Sequence, residues 1–140
     1  MIAYKVLRRH QGHLVSLYCL PTGWRRRYAV GKWTEGRYGS RLYCLDDEGA
    51  ARQLHAGASL FVADDDGIEL WRVEAEDVQP MRWCVCQPSA QPPEALAAFW
   101  RMVRDGQDVR RQYRPATPCV EETLPGTVMA RRVMPLERIL

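Results

Sequence analysis

Arginine is the residue whose type and spacing most invite chemistry in this chain. Of 20 basic residues, only Lys5 and Lys32 are lysine. Trp24-Arg25-Arg26-Arg27-Tyr28 sets three guanidinium groups between two aromatic rings. A second set is Arg101, Arg104, Arg110, Arg111 and Arg114. A guanidinium holds phosphate or carboxylate through two parallel N–H bonds, and an aromatic face lets a base stack. That combination suits a nucleotide. The expected ligand-binding residues are Arg25, Arg26, Arg27, Tyr28, Trp33, Arg101, Arg104, Arg110 and Arg111, with Tyr38 and Trp100 as further aromatics. The competing explanation is a solvated arginine face encoded by a GC-rich genome.

Other chemistry is thinner. His10-x-x-His13 and Cys84-x-Cys86 have zinc-ligand side chains, but both spacings are shorter than those of common zinc modules. No metal is expected. The five cysteines, Cys19, Cys44, Cys84, Cys86 and Cys119, are odd in number, and Cys19 and Cys44 lie in apolar runs. They read as reduced thiols. There is no Gly-x-Ser-x-Gly elbow and no glycine-rich phosphate loop. Glu74, Glu76, Glu121 and Glu122 read as solvated carboxylates. No catalytic residue and no cofactor is expected. With 17 acidic residues among the arginines and a net charge of +3, sequence-specific DNA binding is not expected either.

These residues need a scaffold, and the pattern describes one. A length of 140 residues suits a single domain over 1–140. The spacing predicts an α+β fold, mainly antiparallel sheet, with strands over 4–8, 13–20, 27–32, 40–45, 59–63, 68–75, 81–87 and 126–136. Residues 33–39 read as a glycine-rich loop, and Asp64-Asp65-Asp66-Gly67 as a hairpin turn. A short helix is expected over 47–56, capped by the Asp46-Asp47-Glu48 carboxylates. A longer one is expected over 93–105, where Leu96, Phe99, Trp100 and Val103 form one stripe. Residues 107–125 read as an irregular, proline- and arginine-rich connection.

One internal echo carries a topological expectation. Val73-x-Ala75-x-x-Val78-x-Pro80-Met81 repeats as Val128-x-Ala130-x-x-Val133-x-Pro135-Leu136. Glu76-Asp77 in the first copy becomes Arg131-Arg132 in the second. The two segments are expected to be neighbouring strands, acidic pair beside basic pair.

Four segments also carry a resemblance: Tyr4 to Arg8, Tyr28 to Trp33, Leu42 to Ala51 and Leu70 to Ala75. Together they resemble small phage and prophage proteins over about residues 4–80. That resemblance implies a shared fold and brings no catalytic residues. In size and in the order of β-rich and arginine-bearing parts, the chain is similar to phage anti-defence proteins of the Thoeris-inhibitor kind. Those sequester nucleotide signals without chemistry. The run from Leu42 to Leu54 is also similar to ADP-ribosyltransferase-like folds, which would place Arg8, Ser16 and Glu76 in the catalytic roles.

The expected function is therefore a non-enzymatic binding protein of phage or mobile-element origin. Its partner is expected to be a phosphate-bearing small molecule or an acidic protein surface. The alternatives are the ADP-ribosyltransferase-like enzyme and an assembly protein that self-associates through Leu136, Ile139 and Leu140. No stretch is apolar for long enough to cross a bilayer, and no signal peptide is read, so a cytoplasmic place is expected.

Overall fold

The computed structural model describes residues 1–17, 20–58, 67–110 and 119–140. The first strand, β1 (Ile2–His10), alternates between two faces. Ala3, Lys5 and Leu7 point to one side, Tyr4 and Val6 to the other. Gln11 and Gly12 then both take positive φ, 50° and 80°, as a two-residue hairpin turn requires. The chain returns as β2 (His13–Ser16).

The strand expected over 27–32 is shorter, being only β3 (Arg27–Tyr28). Gly31, at φ 74°, turns the chain, and the expected loop over 33–39 contains β4 (Thr34–Glu35). Next comes β5 (Leu42–Leu45), followed by the expected short helix, α1 (Glu48–Gly57). The Asp47 carboxylate caps that helix by accepting from the Ala50 N–H at 2.8 Å. The strand expected over 59–63 and the aspartates of the expected hairpin fall outside the described residues.

Three strands follow: β6 (Ile68–Glu76), β7 (Gln79–Pro80) and β8 (Trp83–Val85). The longer helix is α2 (Pro93–Arg104), with proline in its first turn, where the missing N–H costs nothing. A strand, β9 (Val120–Glu122), lies within the region expected to be irregular, and it pairs with β8 as a separate small sheet. The single strand expected over 126–136 is two, β10 (Thr127–Ala130) and β11 (Arg132–Arg138). At Arg131 the chain changes neighbours: β10 pairs with β5 and β7, whereas β11 pairs with β6 and β4.

Among the described residues the main sheet runs β4-β11-β6-β1-β5-β10-β7, with β2 and β3 continuing from β1, and every pairing is antiparallel. One edge of β1 serves β6, and the other is shared between β5 and β2. The Thr34 hydroxyl donates to the Arg27 carbonyl at 3.0 Å, so β4 at one end of the strand order meets β3, the last strand of the branch that leaves β1. The sheet therefore curls until that end and that branch touch. Inside the curl lie Leu7, Leu14, Tyr28, Trp71, Val73 and Val133, all buried.

Both helices cover the opposite face. The α1 residue Ala51 packs with Val6, Leu45 and Leu70, and α2 sets Leu96, Phe99 and Trp100 against Met129 and Tyr43. Phe99 and Trp100 meet edge to face at 5.0 Å. Burying each such aromatic removes enough apolar surface to stabilise the fold by about 2–3 kcal/mol. Among the described residues, no helix is long and apolar enough to cross a membrane.

The internal echo marks true neighbours. In the β6–β11 ladder Val73 stands opposite Pro135, Ala75 opposite Val133 and Glu76 opposite Arg132. Glu76 accepts from Arg132 Nε at 2.7 Å and from Arg131 Nη2 at 2.5 Å. Asp77 turns the other way and pairs with Arg41 at 3.1 Å.

Candidate functional site

The arginines divide by region. On the main sheet and its margins they are paired with carboxylates: Arg9 and Arg138 with Glu69, Arg41 with Asp77, Arg72 with Glu137, Arg131 and Arg132 with Glu76. Arg52 pairs with Glu48 on α1, and Arg82 with Glu122 on the small sheet. Arg25, Arg26, Arg27, Arg37, Arg101 and Arg104 have no carboxylate in ion-pair reach among the described residues.

Several of these unpaired arginines come together. The 3₁₀ turn Thr22–Trp24 sets Trp24 against the core below α2. Tyr38 meets Trp24 edge to face at 5.0 Å and is 63% exposed. Its φ of 56° is uncommon for a bulky residue. Arg37 Nη1 donates to the Gly23 carbonyl at 3.5 Å, and Arg25 Nε to the Leu20 carbonyl at 2.8 Å. From the last turn of α2, Arg104 reaches over Gly39, so close that a Cβ there would lie 2.6 Å from its Nη1. Gly39 also has φ 76°, a second reason for glycine. Arg101 is exposed one turn earlier on the same side of the helix. The result is a cationic face around an exposed tyrosine ring.

The expected site residues are thus partly assembled. Arg25, Arg101 and Arg104 border this face, and Arg27 is exposed on β3. Arg26 is half-buried, and its Nε is a buried donor with no hydrogen-bond partner among the described residues. Tyr28, expected to stack on a ligand, is instead buried in the curl of the sheet, with Lys5 Nζ 5.4 Å from its ring centroid. Strand alternation explains this inward turn, since Tyr28 stands opposite Leu14 and shares its inward face. Trp33 belongs to another region, where Arg132 lies 4.2 Å from its ring centroid. Arg110 is already held twice, by both Asp108 oxygens and by the Trp83 ring. The hydrogen bonds and charge of Asp108 raise its pKa further. Arg111 and Arg114 lie outside the described residues. Arg37 joins the face without having been expected there; its signal was the turn Gly36-Arg37-Tyr38-Gly39.

The other candidate sets do not gather. Among the described residues, no group of three or more His, Cys, Asp or Glu could hold a metal ion, so His10, His13, Cys84 and Cys86 do not form one set. Arg8 pairs opposite Ile68 at the start of β6, whereas Glu76 ends the same strand, roughly 26 Å away at 3.3 Å per residue. The ADP-ribosyltransferase-like trio Arg8, Ser16 and Glu76 is therefore not brought together. Of the apolar C-terminal residues, Ile139 packs with the α1 cluster and leaves Leu140 exposed.

No family model, curated protein or solved structure matches this chain. The arrangement of its own side chains therefore carries the functional argument.

Two buried polar centres complete the electrostatics. Burial would raise the Glu69 carboxyl, but hydrogen bonds from Arg9 and Trp71 and the charges of Arg9 and Arg138 outweigh it and hold it below the usual range. In the curl, buried Lys5 donates to the Tyr43 carbonyl. Burial pushes the neighbouring Cys44 thiol up, and the Lys5 charge opposes that only in part.

Proposed function

We propose that this chain is a non-enzymatic binding protein that holds a phosphate-bearing small molecule of the nucleotide class. The ligand would sit on the face formed by the Thr22–Trp24 turn, residues 36–39 and the last turn of α2. One observation carries the reading: among the described residues Arg25, Arg37, Arg101 and Arg104 have no carboxylate partner, although most other described arginines have one. Guanidinium groups left open are suited to accept phosphate oxygens in pairs, and exposed Tyr38 offers a ring on which a base can stack. The proposed setting is the cytoplasm of a cell carrying a phage or mobile element, where such a protein would sequester a nucleotide signal.

The test is thermal unfolding against pyrophosphate, nucleoside mono-, di- and triphosphates and cyclic nucleotides. A ligand at one hundred times its Kd stabilises by about 2.7 kcal/mol, which raises Tm by several degrees. Arg37→Glu combined with Arg104→Glu is expected to abolish that rise. If no phosphate compound moves Tm but polyglutamate does, the face serves an acidic protein partner instead.

A further inference from the structure

We propose that Cys86 and Cys119 form a reversible disulfide by exchange with a small-molecule disulfide such as oxidised glutathione, and that the bond ties together the two ends of the excursion carrying α2. This does not depend on the reading of the arginine face.

The register of the small sheet places the two residues opposite each other. Trp83 faces Glu122, Cys84 faces Glu121 and Val85 faces Val120, so Cys86 falls opposite Cys119. The Cys86 N–H donates to the Cys119 carbonyl at 2.9 Å and continues the ladder. Directly opposed, hydrogen-bonded residues of an antiparallel pair have Cα atoms about 5.5 Å apart, which lies within the span a disulfide bridges. The two sulfur atoms are 3.4 Å apart, in contact and unbonded. Rotation about the side-chain bonds can bring them together while the strands stay in place.

The surroundings select this pair. Cys44 is buried on β5, inside the curl of the main sheet. Cys84 faces Glu121, with its sulfur 4.0 Å from the carboxylate. Burial and the Glu121 charge push that thiol up to about 11. Cys119 is exposed and Cys86 half-buried, so an attacking reagent meets Cys119 first.

Two exchanges complete the bond. The Cys119 thiolate attacks one sulfur of oxidised glutathione, forms a mixed disulfide and releases the first glutathione thiolate. Cys86, losing its proton, then attacks the Cys119 sulfur and displaces the second. The two cysteines lose two electrons and two protons in total; the glutathione disulfide takes up the electrons, and its two thiolates take up the protons. Burial and the hydrogen bond to Cys119 push Cys86 up to about 11, so the first attack falls to exposed Cys119, and the 3.4 Å between the two sulfurs brings Cys86 into the second.

The experiment equilibrates the full chain in glutathione buffers of stepped redox ratio, quenches in acid, blocks free thiols and maps disulfides by mass spectrometry. A single intramolecular link, Cys86–Cys119, is expected, with the loss of two hydrogen atoms. Cys84→Ser retains the link. Cys86→Ser replaces it with a glutathione adduct on Cys119. Tm of the linked wild-type chain rises by about 5–10 °C over the reduced chain, since the bond restricts the unfolded ensemble. A Cys84–Cys119 link would overturn the proposal. So would glutathione adducts or free thiols alone at a hundredfold excess of oxidised glutathione. Because the mapping uses the wild-type chain, misfolding of a variant cannot decide the result.

Discussion

Two regions of this molecule use arginine differently. Along β6 and β11 each guanidinium faces a carboxylate across the ladder, and Glu76 and Glu69 each serve two of them. Around Trp24 and the end of α2, the guanidinium groups contact backbone carbonyls or solvent and meet no carboxylate among the described residues. In the first region arginine fixes strand register; in the second it raises a positive potential that the fold itself does not use. Composition reports the same residue in both. Only the partners distinguish them.

The largest effect that separates the regions should come from Phe99→Ala. Phe99 is 1% exposed beneath α2, and its truncation should cost about 3–5 kcal/mol. Amide exchange should quicken first in α2 and β10, while the β1–β6 ladder stays protected. Equal loss of protection throughout would show that the two regions are not separable.

Glu69→Gln strikes the paired region. It removes the counter-charge of Arg9 and Arg138 at a site 4% exposed, and should cost about 2–4 kcal/mol at pH 7 by urea unfolding. The sign with pH follows from the depressed carboxyl. Its stabilisation is complete above the unfolded value near 4.5 and is lost as pH falls through the lower folded value. The gap between wild type and variant should therefore close in acid. A gap independent of pH would show packing, not charge, at work.

A smaller loss is expected from Glu76→Gln. Hydrogen bonds from Arg132, then the charges and bonds of both arginines, hold this carboxyl below its usual range, although it is in contact with solvent. The fall in Tm should shrink in 1 M salt, because exposed pairs are screened. The smallest effect on stability belongs to Arg37→Gln with Arg104→Gln, expected within about 0.5 kcal/mol of wild type. The same change should remove the stabilisation of wild type by pyrophosphate. A large loss of stability would mean that these arginines hold the fold together after all.

Much of the fold is legible in the sequence where the signal is local. Gln11-Gly12 gives the hairpin, Asp47 the helix cap, and the spacing of Leu96, Phe99 and Trp100 the face of α2. The echo of Val73 to Met81 in Val128 to Leu136 gives a long-range pairing, because the opposed charges are written in both copies. Local patterns made β3 too long and did not give the short edge strand β4, whose partner β11 is far away in the chain, nor the switch of neighbours at Arg131, where no glycine or proline marks a break. The candidate site was half-legible for the same reason. Arg25 and Arg104 stand out as clustered charge, but whether an arginine has a carboxylate is decided by residues tens of positions away. Tyr28 shows the reverse case, a residue that looks exposed beside three arginines and whose register turns it inward.

The central place of β6 has a consequence for the nascent chain. One edge of β6 pairs with β1, made long before it, but the other must wait for β11, near the end of the sequence. At translation rates of about 5–20 residues per second, that edge stays open for roughly 3–12 s. In the meantime Arg72, Glu74 and Glu76 act as gatekeepers, setting alternating charges between Trp71, Val73 and Ala75 on a strand that could otherwise template a second copy. The carboxylate that later locks β11 in register first keeps the unfinished sheet from pairing with the wrong chain.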